Sequence, residues 1–140
     1  MNYWDSSALV PLLVSEETSL KMRKHLVSDP EIATWWGSSI ECISAIMRLV
    51  REGRFQENQV FLALRRLSQL KESWSEVQPG LLVRENAERL LRMHPLRAAD
   101  SLQLAAAVVT SENRPNTLKF VCLDERLRNA AEKEGFILLP

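Results

Sequence analysis

Two kinds of hydrophobic pattern alternate along the chain. Short apolar, aromatic or β-branched runs occur at Met1 to Trp4, at Glu31 to Trp36 (EIATWW), at Leu118 to Leu123 (LKFVCL) and at Phe136 to Leu139, with a weaker one at Ser75 to Gln78 (SEVQ). Their length and content predict strands. Between them, apolar residues recur every three or four positions, as they do in a helix that buries one face. This spacing predicts helices over Ala8 to Val14, Glu16 to Val27, Gly37 to Arg51, Phe55 to Glu72, Leu81 to Met93, Leu96 to Thr110 and Asp124 to Glu134. Helix stops are supplied by Ser28-Asp29-Pro30, Gly53, His94-Pro95 and Gly135, and the hydrophilic stretch Ser111 to Thr117 reads as a loop. The helix ending at Arg51 and its successor, with Val60, Leu64, Leu67 and Leu70 on one face, should pair as an antiparallel hairpin.

Strands that alternate with helices pair in parallel, because each parallel pair needs a helical crossover. The expected fold is α/β, a single three-layer α/β/α domain over residues 1–140 with a central parallel sheet. In such sheets ligands sit beyond the carboxyl ends of the strands, near the point where strand order reverses. Trp35 and Trp36 are neighbours on a predicted strand and so face opposite sides. Helices on both faces would bury both as core, leaving neither for base stacking.

Composition narrows the partners. The 140 residues are 46% hydrophobic, enough for one compact core. Lys plus Arg and Asp plus Glu are balanced at 18 each, so no overall field draws the protein to nucleic acid or to a membrane. A polyanion would have to be held locally. The most apolar segment, Leu102 to Val109, is too short to span a bilayer, and no basic leader precedes an apolar stretch, so a cytoplasmic location with no membrane association is expected. Cys42, Cys122, His25 and His94 have no metal-ligand spacing, and the two cysteines read as buried free thiols.

Four carboxylates change the picture. Asp5 ends the first predicted strand and Asp124 ends LKFVCL, so both belong to one sheet edge. Glu41 lies one helical turn beyond Gly37-Ser38-Ser39, after the second strand. Asp100 interrupts an apolar helix face shared with Leu104 and Ala107, where an unpaired carboxylate is rare. Each acid also has a plain structural reading as a helix cap: Ser38-x-x-Glu41 matches the capping box, Asp100 with Gln103 would cap a helix starting at Ser101, and Asp5 and Asp124 would cap the helices after them. Capping acids need not converge, whereas the topology brings these four towards one crevice. Two carboxylates about 5 Å apart repel by about 3 kcal/mol at an effective dielectric near 20. Such a cluster takes up protons or binds a cation, and an all-oxygen donor set favours Mg²⁺ or Mn²⁺ over zinc. Bound metal reverses the sign of the site towards a phosphodiester, which points to metal-assisted phosphodiester hydrolysis.

The segments that carry these acids, YWDSSALV with Asp5, SSIECISAIMR with Glu41, HPLRAADSLQLAAA with Asp100 and FVCLDERLRNAAEKEGF with Asp124, together resemble the PIN-domain nucleases. Within them the chain is similar to the VapC-type toxins of toxin–antitoxin pairs, and the match spans essentially its whole length. The resemblance implies a sheet of five parallel strands and a Mg²⁺- or Mn²⁺-dependent endoribonuclease, with the four acids as metal ligands and water positioners. It implies too that Ser6, the hydroxyl residue after the first aspartate, supports the site. Cys122 departs from the family, many members of which place Ser or Thr two residues before the last acid. A homodimer and neutralisation by a cognate antitoxin protein are further implications.

Arg97, one turn before Asp100, and Arg126 and Arg128, after Asp124, are candidates to hold RNA phosphates, with solvated helix charge as the plain alternative. Leu9, Leu12, Leu13, Leu20 and Met47 are candidates for a groove that takes an antitoxin helix, although helices of this fold need apolar faces in any case. Two other functions compete. A haloacid-dehalogenase-like phosphatase also begins with a strand-end aspartate, but its D-x-D would need an acid where Ser7 stands. A non-catalytic RNA-binding or protein-interaction module of the same fold suits the zero net charge, though not the retention of all four acids.

Overall fold

The computed structural model describes residues 1–140. Five strands, β1 (Asn2–Trp4), β2 (Ile32–Trp35), β3 (Ser75–Val77), β4 (Lys119–Val121) and β5 (Ile137–Leu139), form one sheet in the order β3-β2-β1-β4-β5. Every neighbouring pair is parallel, with Tyr3 opposite Ala33 on one side and Phe120 on the other. The chain winds outward from β1 to β3 and then returns to place β4 on the far side of β1. Strand order therefore reverses between β1 and β4.

Seven helices cover the sheet: α1 (Ser6–Leu13), α2 (Ser19–Ser28), α3 (Ser38–Arg51), α4 (Glu57–Lys71), α5 (Leu81–Met93), α6 (Ala98–Thr110) and α7 (Glu125–Glu134). Side chains alternate across each strand, and this alternation divides the core in two. Trp4, Ile32 and Val121 point to one face, where they pack with Leu9 and Leu13 of α1, Met22 of α2, Ile46 of α3 and Leu67 of α4. Tyr3, Ala33, Trp35 and Phe120 point to the other, against α5, α6 and α7. Tyr3 stacks on Phe120, with ring centroids 5.2 Å apart. The three-layer α/β/α arrangement is thus the one expected, and α3 and α4 pack as neighbours. Gly53 and Gly135 stand just past α3 and α7 with φ of 70° and 102°, conformations that favour glycine.

Several boundaries move. The first helix begins two residues earlier than its apolar pattern, at Ser6, because Asp5 caps it. The helix expected from Leu96 starts at Ala98, so Asp100 lies in its first turn and is not the cap of a helix starting at Ser101. A single 3-10 turn, Pro115–Thr117, occupies part of the expected loop. Trp36 corrects the expectation of two buried tryptophans. β2 stops at Trp35, which is 7% exposed, whereas Trp36 lies in the turn beyond it at 44% exposure. Cys42 and Cys122 are buried and unpaired, as expected. Of the residues considered for an apolar groove, Leu9 and Leu13 are core and Leu20 is exposed. No helix is long and apolar enough to cross a membrane.

Candidate functional site

The reversal between β1 and β4 fixes the first and last acids at one edge. Asp5 directly follows β1, is 4% exposed and caps α1, accepting the Ser7 N–H at 3.0 Å. The Ser7 hydroxyl donates to the same carboxylate oxygen. That hydroxyl also accepts the backbone N–H groups of Leu123 at 2.9 Å and Asp124 at 3.3 Å. One side chain thereby ties the end of β1 to the end of β4. Asp124 begins α7 and accepts the Leu127 N–H at 2.8 Å, with its carboxylate otherwise open to solvent. Asp5 and Asp124 are both caps, as their plain reading held, and both are also at the crevice.

Glu41 is not a cap. Gly37 occupies the N-cap position of α3, and the buried Ser38 turns inward, so the Ser38-x-x-Glu41 capping box does not form. The Glu41 carboxylate instead accepts the side-chain amide of Gln103 at 2.6 Å. Gln103 is 1% exposed and belongs to α6. Its amide also donates to the Ser38 hydroxyl at 2.9 Å, while its carbonyl accepts the Tyr3 O–H at 2.8 Å. Thr34 donates to the Trp4 carbonyl and shares a 2.7 Å contact with Ser38. Proton bookkeeping then has one solution: Ser38 donates to Thr34, Gln103 donates to Ser38 and Glu41, and Tyr3 donates to Gln103. Thr34, Ser38, Gln103 and Tyr3 thus satisfy one another in a continuous series, of which Glu41 is a terminal acceptor.

Asp100, half-buried, sits in the first turn of α6 and accepts the Arg97 backbone N–H at 3.3 Å. With Asp124 it lines a shallow cleft of about 320 Å³ whose remaining walls are Arg97, Glu125 and Arg126.

The electrostatics are those of acids without counter-ions. None of the four carboxylates belongs to an ion pair; the pairs that form lie elsewhere. Burial raises the pKa of Asp5, opposed in part by the hydrogen bonds from Ser7. Burial also pushes Glu41 up to about 7; the Gln103 hydrogen bond opposes this, and the charges of Asp5 and Asp100 add to it. Glu41 therefore lies within reach of the charges of both Asp5 and Asp100. The Cys122 sulfur lies 3.6 Å from both Asp5 and the Ser7 hydroxyl, and burial keeps its thiol protonated. The Cys122 thiol thus lies beside the Asp5 carboxylate.

Two of the expected residues do other work. The side chain of Ser6 makes no hydrogen bond to an acid, and the hydroxyl that holds Asp5 is that of Ser7, one residue on. The Arg128 guanidinium donates to the carbonyls of Cys122 at 2.7 Å, Leu139 at 3.2 Å and Pro140 at 3.0 Å. It clamps the chain end against β4 and is not directed at the crevice. Arg97 and Arg126 remain in the cleft. Sequence reasoning passed over Ser7, Tyr3 and Gln103 as parts of the site. A usable signal existed for one of them, because Gln103 is the sole amide in the apolar run LQLAAAVV.

No three His, Cys, Asp or Glu side chains gather closely enough to enclose an ion by themselves. Mg²⁺ retains several waters and is usually held by one or two carboxylates together with substrate phosphate. Asp5, buried, and Glu41, half-buried, are all-oxygen groups lacking cationic partners and offer that donor chemistry, with Asp100 and Asp124 more exposed.

No protein-family model matches the chain, and no curated protein does. Among solved structures it is similar to PAE2754 from Pyrobaculum aerophilum, known as a crystal structure, at 21% identity and a TM-score of 0.67, covering 99% of this chain and 83% of that one. At that identity the likeness shows a shared fold, the α/β architecture described above.

Proposed function

We propose that the chain is a Mg²⁺- or Mn²⁺-dependent endoribonuclease of the PIN-domain type, acting as the toxin of a cytoplasmic toxin–antitoxin pair. One observation carries the reading: two carboxylates, the buried Asp5 and the half-buried Glu41, stand without counter-ions at the sheet edge where strand order reverses, with Asp100 and Asp124 on the same side. Burying unpaired acids costs stability, and a fold tolerates such a cost at sites where the charge is used.

Asp5 and Glu41 would hold the ion, with Asp100 and Asp124 as further or water-bridged ligands. When bound, the ion supplies the positive charge that admits a phosphodiester and the Lewis acidity that activates water. The remaining work falls to the chain. Ser7 fixes the Asp5 carboxylate, and Gln103 fixes that of Glu41. Arg97 and Arg126 hold backbone phosphates at the cleft. Asp124, anchored through one oxygen to the α7 N-terminus, keeps the other free to orient a water molecule. An apolar stripe along α3, formed by Ile40, Ile43 and Met47 next to Trp36, suits a second copy of the chain or an antitoxin segment.

The direct test is cleavage of a panel of cellular RNAs with Mg²⁺ or Mn²⁺ and with EDTA. Cleavage that requires the divalent ion supports the proposal, and ion-independent cleavage or none refutes it. A second reading, a non-catalytic RNA-binding module, draws on the capping bonds of Asp5 and Asp124. It predicts tight, EDTA-insensitive RNA binding with a steep salt dependence.

A further inference from the structure

A second cleft opens at the same sheet edge, on the side covered by α5 and α6. It measures about 340 Å³ and is lined by Trp35, Gly80, Leu81, Val83, Arg84 and Leu102 together with Pro79. Trp35 ends β2, Gly80 caps α5 just after β3, and Leu102 lies on α6 between Asp100 and Gln103. Neighbouring strands are about 4.8 Å apart, so the ends of β2 and β3 stand within roughly 10 Å of the end of β1, where Asp5 sits.

We propose that this cleft is a nucleobase subsite, taking one unpaired base of an RNA strand whose backbone crosses the carboxylates. The inference rests on the ribonuclease reading and adds to it a place for a base.

Three features argue for a base. The walls are an indole and three aliphatic side chains, which suit the faces of an aromatic ring. The Trp35 indole N–H makes no hydrogen bond within the chain although the residue is only 7% exposed, and its nitrogen is not sealed in as that of Trp4 is. An unpaired donor on a residue that lines the cleft suits a base carbonyl or ring nitrogen. Arg84 forms no ion pair or side-chain hydrogen bond and is exposed, free to meet the attached phosphate. The volume lies at the lower end of the range for small-molecule pockets, and it is too small for a peptide helix.

The platform is also tied to the carboxylates. A Cβ on Gly37 would stand 2.5 Å from the Trp35 indole nitrogen, so the ring lies directly against the Gly37 backbone. Gly37 begins the helix that carries Glu41. The indole and the acid are thereby held in fixed relation through one rigid element.

The test follows the Trp35 indole N–H signal by NMR in EDTA, where no cleavage occurs, during titration with nucleoside 5′-monophosphates and with ribose 5-phosphate. The nucleotides should shift the signal saturably, and ribose 5-phosphate should not. Arg84→Ala should weaken nucleotide binding about ten-fold, and it tests the subsite even if Trp35→Phe fails to fold. In cleavage assays Arg84→Ala should raise KM and leave kcat unchanged. An equal shift with ribose 5-phosphate, no shift at millimolar nucleotide, or a shift driven by protein concentration alone, which would place a second copy in the cleft, overturns the proposal. Because the titration does not depend on cleavage, a subsite that binds bases in an inactive protein would refute the nuclease reading separately.

Discussion

The Gln103 amide donates to Glu41 across 2.6 Å, joining two residues 62 positions apart in the chain. Gln103 can present only its N–H₂ to a carboxylate, and the Tyr3 hydroxyl, 2.8 Å from its carbonyl, holds it in that orientation. A buried amide with all its partners met fixes an acid more firmly than solvent would.

Replacing Gln103 should therefore affect both the fold and the site. Gln103→Leu orphans Tyr3 and removes the donors to Ser38 and Glu41, at about 1–3 kcal/mol for each buried group left unsatisfied. Mn²⁺ affinity should fall about 10–100-fold, the usual cost of losing a residue that orients a ligand. Tyr3→Phe keeps the stack on Phe120 and should show a milder version of both effects. Mn²⁺ binding followed by electron paramagnetic resonance, with thermal melts alongside, checks this; unchanged affinity in a folded Gln103→Leu variant would count against the positioning role.

The raised acids set a pH dependence in metal-free protein. The folded state holds its Glu41 proton up to about pH 7, while the unfolded chain releases it near 4.5. Between those values the folded state binds more protons, so stability falls as pH rises from about 4.5 to 7. The shift corresponds to at most about 3 kcal/mol, and Asp5 acts in the same direction. Asp29 and Glu134 have lowered pKa values and lose their contribution only in more acidic solution. Urea midpoints in EDTA should be higher at pH 5 than at pH 7.5, Glu41→Gln should flatten the difference, and saturating Mg²⁺ should raise the midpoint at pH 7.5.

The arginines should separate by role. Arg128→Ala removes three charge-assisted bonds to carbonyl groups and should lower the melting temperature while sparing kcat. Arg97→Ala and Arg126→Ala should leave melting nearly unchanged, raise KM for RNA and reduce its salt dependence. Parallel melts and steady-state kinetics distinguish the two patterns.

The legibility of the sequence follows the range of the forces involved. Strands and helices were readable because their apolar periods record burial directly, down to the near-continuous run at β4. The edge carrying Asp5 and Asp124 was readable for the same reason, since a strand end and a helix start are local features. The resemblance implies Ser6, yet Ser7 holds Asp5, because position next to the aspartate does not give the helical phase that turns a hydroxyl towards it. Trp36 escaped because nothing local marks where β2 ends. Arg128 depends on the chain end folding back over β4, and the Gln103–Glu41 bond depends on packing α6 against α3, neither of which leaves a nearby trace.

The most direct measurement of the central claim is the cleavage rate of Asp5→Asn, Glu41→Gln, Asp100→Asn and Asp124→Asn, assayed with Mn²⁺ beside thermal melts. Each change keeps shape and removes charge. Asparagine still caps helices, so a purely capping role predicts nearly unchanged rates for the aspartate variants. The carboxylate site predicts that each variant stays folded and loses more than about 100-fold in rate, since losing a ligand should exceed the 10–100-fold cost of losing its supporting partner. Glu41→Gln, relieved of a half-buried charge, should melt no lower than the parent in EDTA. Wild-type cleavage by two or more of the four would contradict the site.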